Sequence, residues 1–307
     1  MIETLIPFIL VAQVPIDTYD VYYGLQYTFN VSNTLEYDIE GVTQHCNIVG
    51  KLKCRNSGAY SLICTLTDAS RQWYQEKGSN ITYPDNPKYI TFPIFNAGPF
   101  EILFKDGMIH SIFVDADQSI TAQQIFIMEI SELLNVWWMN LKESPKGLRP
   151  VMDYNFPKAS IPDCQSIIKV TTLKRINRKT DFGIKSIGRR LNISSGVTYH
   201  FRKTQNAHLP CFKSLYLWYE PDANLLPKII NPTRINATSS ISRVVVSENE
   251  FVSFSENFAY YCCHYNIHQR TSVTLDSIDK ATSDLPIIKN PIEVFKTVES
   301  SLVSLNL

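Results

Sequence analysis

The stretch that decides the fold is residues 100–141, FEILFKDGMIHSIFVDADQSITAQQIFIMEISELLNVWWMNL. Its first half alternates apolar and polar residues on both sides of Asp106-Gly107. An Asp-Gly pair supplies the positive φ angles of a two-residue turn whose twist matches that of the flanking strands. The pattern therefore predicts a β-hairpin with strands Phe100–Lys105 and Met108–Val114.

The second half of this stretch predicts a helix. Thr121 and Gln124 form a capping box, and apolar residues then continue at all angles around the helix to Leu141, before Pro145 stops it. Such a helix spans about 30 Å and is buried on most of its sides. Only a narrow polar stripe interrupts the apolar surface, formed by Glu129, Ser131, Glu132, Asn135 and Asn140.

Period-two alternation surrounds the hairpin and the helix, which predicts half-buried antiparallel strands. Leu35, Tyr37 and Ile39 alternate with polar residues, as do Tyr60, Leu62, Cys64 and Leu66. After the helix, further strands are predicted at Gln165–Thr172, Phe212–Glu220, Ile241–Phe254 and Phe258–Leu275. The predicted fold class is mainly β with α.

The last residues predict a second helix. Asn290-Pro291 is a suitable cap and first-turn pair, and helical spacing follows. The apolar residues with this spacing are Val294, Phe295, Val298, Leu302 and Leu305. An apolar face that runs to the last residue indicates a partner chain or the remainder of a longer precursor; the alternative is a helix that folds back on its own domain.

Composition limits the class of protein. The chain has 307 residues, of which 44% are apolar, so it can bury a large core. Its 29 basic residues balance 29 acidic ones, which excludes a global field that would attract nucleic acid. No uncharged apolar run reaches the roughly 18 residues of a membrane-spanning helix.

Three features indicate a secreted, extracellular protein. The run from Leu5 to Ala12 is either the core of a signal remnant or a buried edge strand. Seven cysteines suit an oxidising compartment, and their odd number leaves at least one thiol without an intramolecular partner. Glycosylation sequons stand at Asn30, Asn80, Asn192 and Asn236.

The sequence lacks the common catalytic motifs and has one cluster of metal-ligating residues. The chain has no nucleophile elbow, no phosphate-binding loop and no His-Glu-x-x-His helix, so we expect a protein that is not an enzyme. Cys262-Cys263-His264, with His268, offers metal ligands close together. Neighbours on a strand point to opposite faces, however, which favours core packing with one disulfide over a metal site.

One segment of this neutral chain is strongly polarised. Ten Lys or Arg residues lie between Lys169 and Lys203, with Asp181 the single acid. The segment suits a polyanionic partner such as an acidic receptor repeat, a sulfated glycan or a lipid headgroup; a solvated face is the alternative. The residues assigned to this patch are Lys174, Arg175, Arg178 and Lys179.

Aromatic residues are dense in the second half of the chain. Flat π faces that line an apolar cavity can hold a polyene or a tetrapyrrole, although packing of a β-rich core is the alternative for each residue. The candidates for ligand contact are Tyr216, Trp218 and Tyr260.

The order of these elements resembles a known family. The chain contains, in this order, a tyrosine-rich first strand, a cysteine-bearing strand pair, the Asp-Gly hairpin, the buried helix and Asp163-Cys164-Gln165-Ser166. This order is similar to that of the N-terminal β-barrel of the large lipid transfer proteins: vitellogenins, apolipoprotein B and the microsomal triglyceride transfer protein. The resemblance covers about Tyr19 to Pro291.

The resemblance implies an architecture and a domain division. We expect an antiparallel β-barrel around the apolar helix, a further β-sheet segment, and the start of a helical segment. The expected divisions are a signal remnant or N-terminal extension at 1–18, the barrel domain at 19–290 and the helical segment at 291–307.

The resemblance also implies a disulfide between Cys46 and Cys64, which match a family pair. The second family pair is incomplete here, because no cysteine follows Cys164 at the expected place. The remaining cysteines then pair in a new way, stay free or attach a ligand such as a bilin: Cys54, Cys164, Cys211, Cys262 and Cys263.

In the family, this barrel docks other chains and receptors, while downstream domains build most of the lipid cavity. The function that the resemblance implies is a secreted, glycosylated carrier of hydrophobic small molecules, either lipid or a lipid-soluble pigment such as a carotenoid or bilin. A second chain or the rest of a precursor would complete it. The alternative is a receptor-docking or yolk-storage module without small-molecule cargo, which binds a cell-surface receptor.

Overall fold

The computed structural model describes most strands of the chain and its central helix. The described residues are 2–6, 10–14, 23–39, 41–78, 80–82, 98–105, 108–118, 121–135, 148–150, 165–174, 180–186, 193, 196–205, 235–261 and 265–296. Among these residues, no helix is both long enough and apolar enough to cross a membrane.

The elements are numbered in chain order. The strands are β1 Ile2–Ile6, β2 Leu10–Gln13, β3 Leu25–Ile39, β4 Val42–Gly58, β5 Ser61–Lys77, β6 Asn80–Thr82, β7 Phe100–Lys105, β8 Met108–Asp115, β9 Leu148–Pro150, β10 Gln165–Lys174, β11 Gly183–Ser186, β12 Val197–Gln205, β13 Ile235–Ser247, β14 Glu250–Tyr261, β15 Tyr265–Lys280 and β16 Pro291–Lys296. A 3₁₀ turn, Ala116–Gln118, precedes the helix α1, Thr121–Leu133.

Three long antiparallel strands, β3, β4 and β5, form the first part of the main sheet. Their alternating apolar residues face the core, as predicted; Leu35 and Leu62 are examples, whereas Tyr60 is exposed in the turn before β5. A bulge interrupts the β4–β5 pair beside Gly50. A Cβ atom at Gly50 would lie 3.3 Å from the Cβ of Ala69, so this close approach of the two strands favours glycine.

The predicted hairpin is confirmed as β7 and β8. Strand β7 also pairs with the first residues of β5, which attaches the hairpin to the long strands. The apolar side chains of Ile102, Ile112 and Val114 are buried in the core.

The strands after the helix continue the same sheet. Strand β15 pairs with β3 on one side and β14 on the other, and β13, β12, β10 and β9 follow in that order. The predicted strands at Gln165–Thr172, Ile241–Phe254 and Phe258–Leu275 are confirmed in type. The second, however, spans the turn between β13 and β14, and the third covers the end of β14 and most of β15. The strand predicted at Phe212–Glu220 lies outside the described residues.

The predicted closure into a barrel is not found among the described strands. The sheet runs as an open path from β16, which pairs with β8, to β9, which pairs with β10. Closure would require the two end strands to pair with each other. Over the described residues the fold is mainly β with one α-helix, which confirms the predicted fold class.

Helix α1 is buried against the sheet and contacts β8, β14 and β15. Strands β8 and β15 stand five places apart in the sheet, which would be about 24 Å if the sheet were flat. Because one helix contacts both strands, the sheet curls around it. The apolar residues Phe126, Ile130 and Leu133 fill the space between them.

The helix ends earlier than the sequence predicted. It stops at Leu133, and not at Leu141, because the next two amides bond three residues back: Leu134 N donates to Ser131 O and Asn135 N to Glu132 O. This 3₁₀ geometry tightens and closes the last turn. Trp137 and Trp138 lie outside the described residues.

The predicted C-terminal helix from Pro291 is wrong over the described residues, which form β16. Proline is tolerated as the first residue of an edge strand because no ladder N–H is required of it there. A bulge between Glu293 and Phe295 places two residues where a regular strand has one, which explains why the apolar spacing resembled that of a helix. Residues 297–307 are not described.

A separate three-stranded sheet consists of β1, β2 and β11. The N-terminal apolar run thus contributes strands, with Leu10 and Ala12 fully buried. The run is therefore a buried strand in part, but β2 pairs with β1 on one side and β11 on the other, so it is not an edge strand. Ile184 N donates to Glu248 O and ties this sheet to the turn between β13 and β14.

The disulfide prediction is wrong. Cys64 is bonded to Cys54, and Cys46 is a buried free thiol. Cys54 lies directly opposite Cys64, with 4.1 Å between the Cα atoms, whereas Cys46 lies opposite Trp73. Because Trp73 and Cys64 are nine residues apart on one strand, Cys46 is about 30 Å from Cys64, beyond the reach of a disulfide.

Candidate functional site

Five neighbouring strands carry imidazole and carboxylate groups on the face of the sheet that points away from α1. The register aligns Tyr74, His45, Glu36, His268 and Phe258 across β5, β4, β3, β15 and β14. Three of these side chains and two diagonal neighbours, Glu76 and Glu256, form what we call the histidine–glutamate row. In strand order, the row is Glu76, His45, Glu36, His268 and Glu256.

His268 is held between two carboxylates. Its Nδ1 lies 2.9 Å from Oε2 of Glu36, and its Nε2 lies 3.0 Å from Oε1 of Glu256. The ring stacks on Phe258, with 4.2 Å between centroids and 6° between planes. Arg270 donates to the same Glu256 oxygen through Nε and Nη2. These contacts fix the ring in position and orientation.

His45 has the same surroundings at longer range. Its Nδ1 lies 3.5 Å from Glu36 Oε1 and its Nε2 3.4 Å from Glu76 Oε2, beyond hydrogen-bond length. The ring stacks on Tyr74 at 4.4 Å and is only 8% exposed. Neither ring nitrogen has a hydrogen-bond partner among the described residues.

The electrostatics of the row are clearest at Glu256. Burial alone would raise the pKa of its carboxyl, but hydrogen bonds from Arg270 and His268 outweigh burial and hold that pKa below its usual value. Glu256 is therefore ionised at neutral pH and presents a full negative charge to His268.

The opposite face of the sheet, which covers α1, contains a band of buried polar side chains. They are Asn33, Ser240, Ser242, Ser253, Ser255, Asn257, Gln269 and Thr271. Glu129 of α1, 4% exposed, accepts hydrogen bonds from the Thr271 hydroxyl and the Gln269 amide, and Asn33 donates to Thr271. Glu129 of the predicted polar stripe therefore docks on this band and ties α1 to β15.

The comparisons with known proteins address the fold. No family model and no curated protein sequence matches this chain. A solved structure described as "Lipid-protein interactions in lipovitellin" superposes on 92% of the chain, with a TM-score of 0.57 and 12% sequence identity. This chain has a lipovitellin-like fold.

The lipovitellin-like fold confirms the family resemblance at the level of architecture. The chain covers 28% of the lipovitellin chain, so it spans about a quarter of that protein's length. The match extends over nearly all of this chain, and therefore includes both the strands before α1 and those after it.

Two of the four sequons have described side chains in this lipovitellin-like fold. Asn30 on β3 and Asn80 on β6 are exposed, as glycosylation requires. Asn236 lies on β13 with its side chain outside the described set, and Asn192 is not described. Glycosylation at all four positions stays a prediction.

Most of the other predicted site residues lie outside the described residues or have side chains that are not described. They are Cys164, Lys174, Arg175, Arg178, Lys179, Cys211, Tyr216, Trp218, Cys262 and Cys263. Tyr260, a candidate for ligand contact, is 50% exposed on β14. Cys54 is removed from the free thiols by its disulfide.

The histidine–glutamate row escaped prediction from the sequence, apart from His268, which was considered as a metal ligand. His268 instead contacts Glu36 and Glu256. Among the residues that the structure describes, no group of three or more His, Cys, Asp or Glu side chains is placed to hold a metal ion. The members of the row are up to 232 residues apart in sequence, so only the strand register brings them together.

Proposed function

We propose that this chain is a non-enzymatic module of a carrier of hydrophobic small molecules, with lipid as the first candidate cargo. The observation that supports this proposal is the likeness to lipovitellin over 92% of the chain. A secreted, glycosylated protein is part of the proposal, and exposed Asn30 and Asn80 are compatible with it. A carotenoid or bilin is the finer alternative for the cargo.

The packing of the core constrains where the cargo binds. Side chains of α1 and of the sheet fill the space between them, with Phe126, Ile130 and Leu133 buried there. Cargo would therefore bind outside this core, against an outer surface of the second run of strands or at a junction with a second chain or the remainder of a precursor. Tyr260 is an exposed aromatic side chain on such a surface.

Purification without detergent tests the carrier proposal. An organic extract analysed by mass spectrometry should contain lipid in a fixed ratio to protein, and a visible absorption band would identify a pigment. The Tyr260→Ala variant should carry less cargo, while Tyr60→Ala, which removes an equally exposed tyrosine from a distant turn, should carry the normal amount. A colourless protein with an empty extract would contradict the proposal.

A second candidate is a module that docks a polyanionic partner such as a receptor. Its support is the register of β10, β12 and β13, which aligns Lys169, Arg202 and Arg243 directly opposite one another. Like charges placed opposite each other destabilise a strand pair, unless an anion offsets them. These three strands contain no acidic residue, and Arg202 is exposed.

Charge reversal on β12 tests the second candidate, the polyanion-docking module. The Arg202→Glu variant should elute from a heparin column at lower salt than the wild type, because it removes the central charge of the aligned three. Lys280→Glu makes the same change in net charge at an exposed position at the end of β15. Its shift in elution should be smaller than that of Arg202→Glu, because it reflects net charge alone. Equal elution of the two variants would count against a local anion site.

A further inference from the structure

We propose that the histidine–glutamate row is a proton-operated clamp, which holds β5, β4, β3, β15 and β14 together more tightly when its imidazoles are protonated. The clamp does not rest on the cargo proposed above, because it involves only side chains of this chain. Its basis is the number of hydrogen bonds that an imidazole can donate in each of its charge states.

His268 illustrates the argument. A neutral imidazole has one N–H donor and one acceptor nitrogen, whereas a carboxylate only accepts. Both ring nitrogens of His268 lie within 3.0 Å of carboxylate oxygens, on Glu36 and on Glu256. Both contacts are hydrogen bonds when each ring nitrogen carries a proton. In the neutral ring, the nitrogen without a proton faces a carboxylate oxygen, so that contact brings two lone pairs together and is repulsive. This geometry therefore matches the imidazolium.

His45 is the second half of the clamp. Its nitrogens face Glu36 and Glu76 at 3.5 and 3.4 Å, and neither nitrogen has a hydrogen-bond partner among the described residues. A buried polar ring without partners is costly, and a proton taken from water would give the ring two N–H groups directed at two carboxylates. Glu36 is shared by both rings, so one carboxylate joins the two halves.

The charged groups around the two rings carry an excess of negative charge. Besides the row itself, the titratable or charged groups on the strands that face it are Tyr74 of β5, Asp38 of β3, Arg270 of β15, Tyr260 of β14 and Arg243 of β13. Four carboxylates, those of Glu36, Glu76, Glu256 and Asp38, thus stand against the guanidinium of Arg270 near the two rings. Arg243 is directed at the ring of Phe254. Two imidazolium charges would nearly neutralise this surface.

The clamp predicts a direction for the pH dependence of stability. The additional hydrogen bonds are present when the rings carry two protons and are lost as the pH rises and the rings become neutral. Histidine is the side chain that ordinarily changes charge between pH 5 and 8. The folded chain should therefore be more resistant to unfolding in mildly acidic than in mildly alkaline solution.

Urea unfolding of the full chain, at about pH 5.5 and about pH 8, tests the clamp. For the wild type, the equilibrium constant for folding should be roughly tenfold higher at the lower pH, since the additional hydrogen bonds involve charged groups that are partly solvated. His268→Gln and His45→Gln should each lose a large part of this difference. His110→Gln, which removes a half-buried histidine of β8 outside the row, should keep it.

A wild type without this pH difference would overturn the proposal, as would a His110→Gln variant that loses as much of it as His268→Gln does. Because a change at a buried histidine can prevent folding, Glu76→Gln provides a second variant: this side chain is 44% exposed at the rim of the row. It should keep the fold and reduce the pH difference. A difference equal to that of the wild type would rule out a clamp that includes His45.

Discussion

Replacing Arg55 with alanine should loosen the segment that returns from β15 to β16. Arg55 lies on β4 and is 6% exposed. Its Nη1 donates to the carbonyl oxygens of Ser283 at 2.8 Å and Asp284 at 2.9 Å, and its Nη2 donates to that of Tyr23 at 2.5 Å. Burial lowers the pKa of Arg55, and the nearby Asp284 carboxylate opposes that effect. One guanidinium thus joins β4 to two distant segments of the chain.

The magnitude follows from these three hydrogen bonds. Each bond from a charged donor contributes about 1.5–3 kcal/mol. Ser283 and Asp284 are exposed, so their carbonyl groups regain water when the guanidinium is removed. We therefore expect Arg55→Ala to lower the free energy of unfolding by about 2–4 kcal/mol, less than the sum of the three bonds.

Urea unfolding measures this loss, and limited proteolysis locates it, with faster cleavage expected within residues 281–290. Arg55→Lys is the matched control, because lysine keeps the charge but cannot reproduce the planar fork that reaches three carbonyl groups. It should recover only part of the stability. A loss below about 0.5 kcal/mol for Arg55→Ala, the range of ordinary surface changes, would refute the reasoning.

Three further predictions concern single side chains. Peptide mapping should find Cys54 bonded to Cys64 and Cys46 reduced. Burial raises the pKa of the Cys46 thiol to about 11, so alkylation of this thiol should require unfolding. Rapid labelling of Cys46 in the folded chain would contradict its burial. Because the pKa of Glu256 is lowered, its ionised form stabilises the folded chain above the usual carboxyl pKa, and this contribution is lost as the pH falls through the lowered value. In urea unfolding, Glu256→Gln should therefore be less stable than the wild type near neutral pH and equally stable below about pH 4. A difference in the free energy of unfolding that grows in acid would contradict this prediction. Leu52→Ala, at a side chain with no exposure, should lower the free energy of unfolding by about 2–5 kcal/mol, and a loss under 1 kcal/mol would indicate that the site is not packed as described.

Local patterns predicted the parts of the fold that depend on neighbouring residues. The Asp106-Gly107 pair in the sequence and the alternation on both sides of it predicted the β7–β8 hairpin, because turn propensity and side-chain direction are properties of a few consecutive residues. The start of α1 at Thr121 and its burial were predicted for the same reason.

The parts that depend on register could not be predicted from local patterns. A shift of one residue between β4 and β5 would exchange the faces of every side chain, and nothing within either strand alone selects Cys54 over Cys46 as the partner of Cys64. Likewise, His268 meets Glu36 only because β15 returns to pair with β3 after more than two hundred residues. The resemblance supplied a topology, but not this alignment.

The bulge in β16 shows how an irregular strand is mistaken for a helix. Two adjacent apolar residues, Val294 and Phe295, break the alternation of a strand and fit a helical period when the sequence alone is considered. In the structure, this break is the bulge between Glu293 and Phe295, and pairing with β8 decides the conformation. Tertiary pairing outweighs local spacing here.

The pairing of β3 with β15 supports the lipovitellin-like sheet, the position of α1 and the histidine–glutamate row alike, so it is the most direct point to test. Hydrogen exchange measured by mass spectrometry reports it, because amides of a strand paired on both sides exchange slowly. Peptides from β15 should be as strongly protected as those from β4, and far more than peptides from 281–290. Exchange in β15 as fast as in 281–290 would contradict the account.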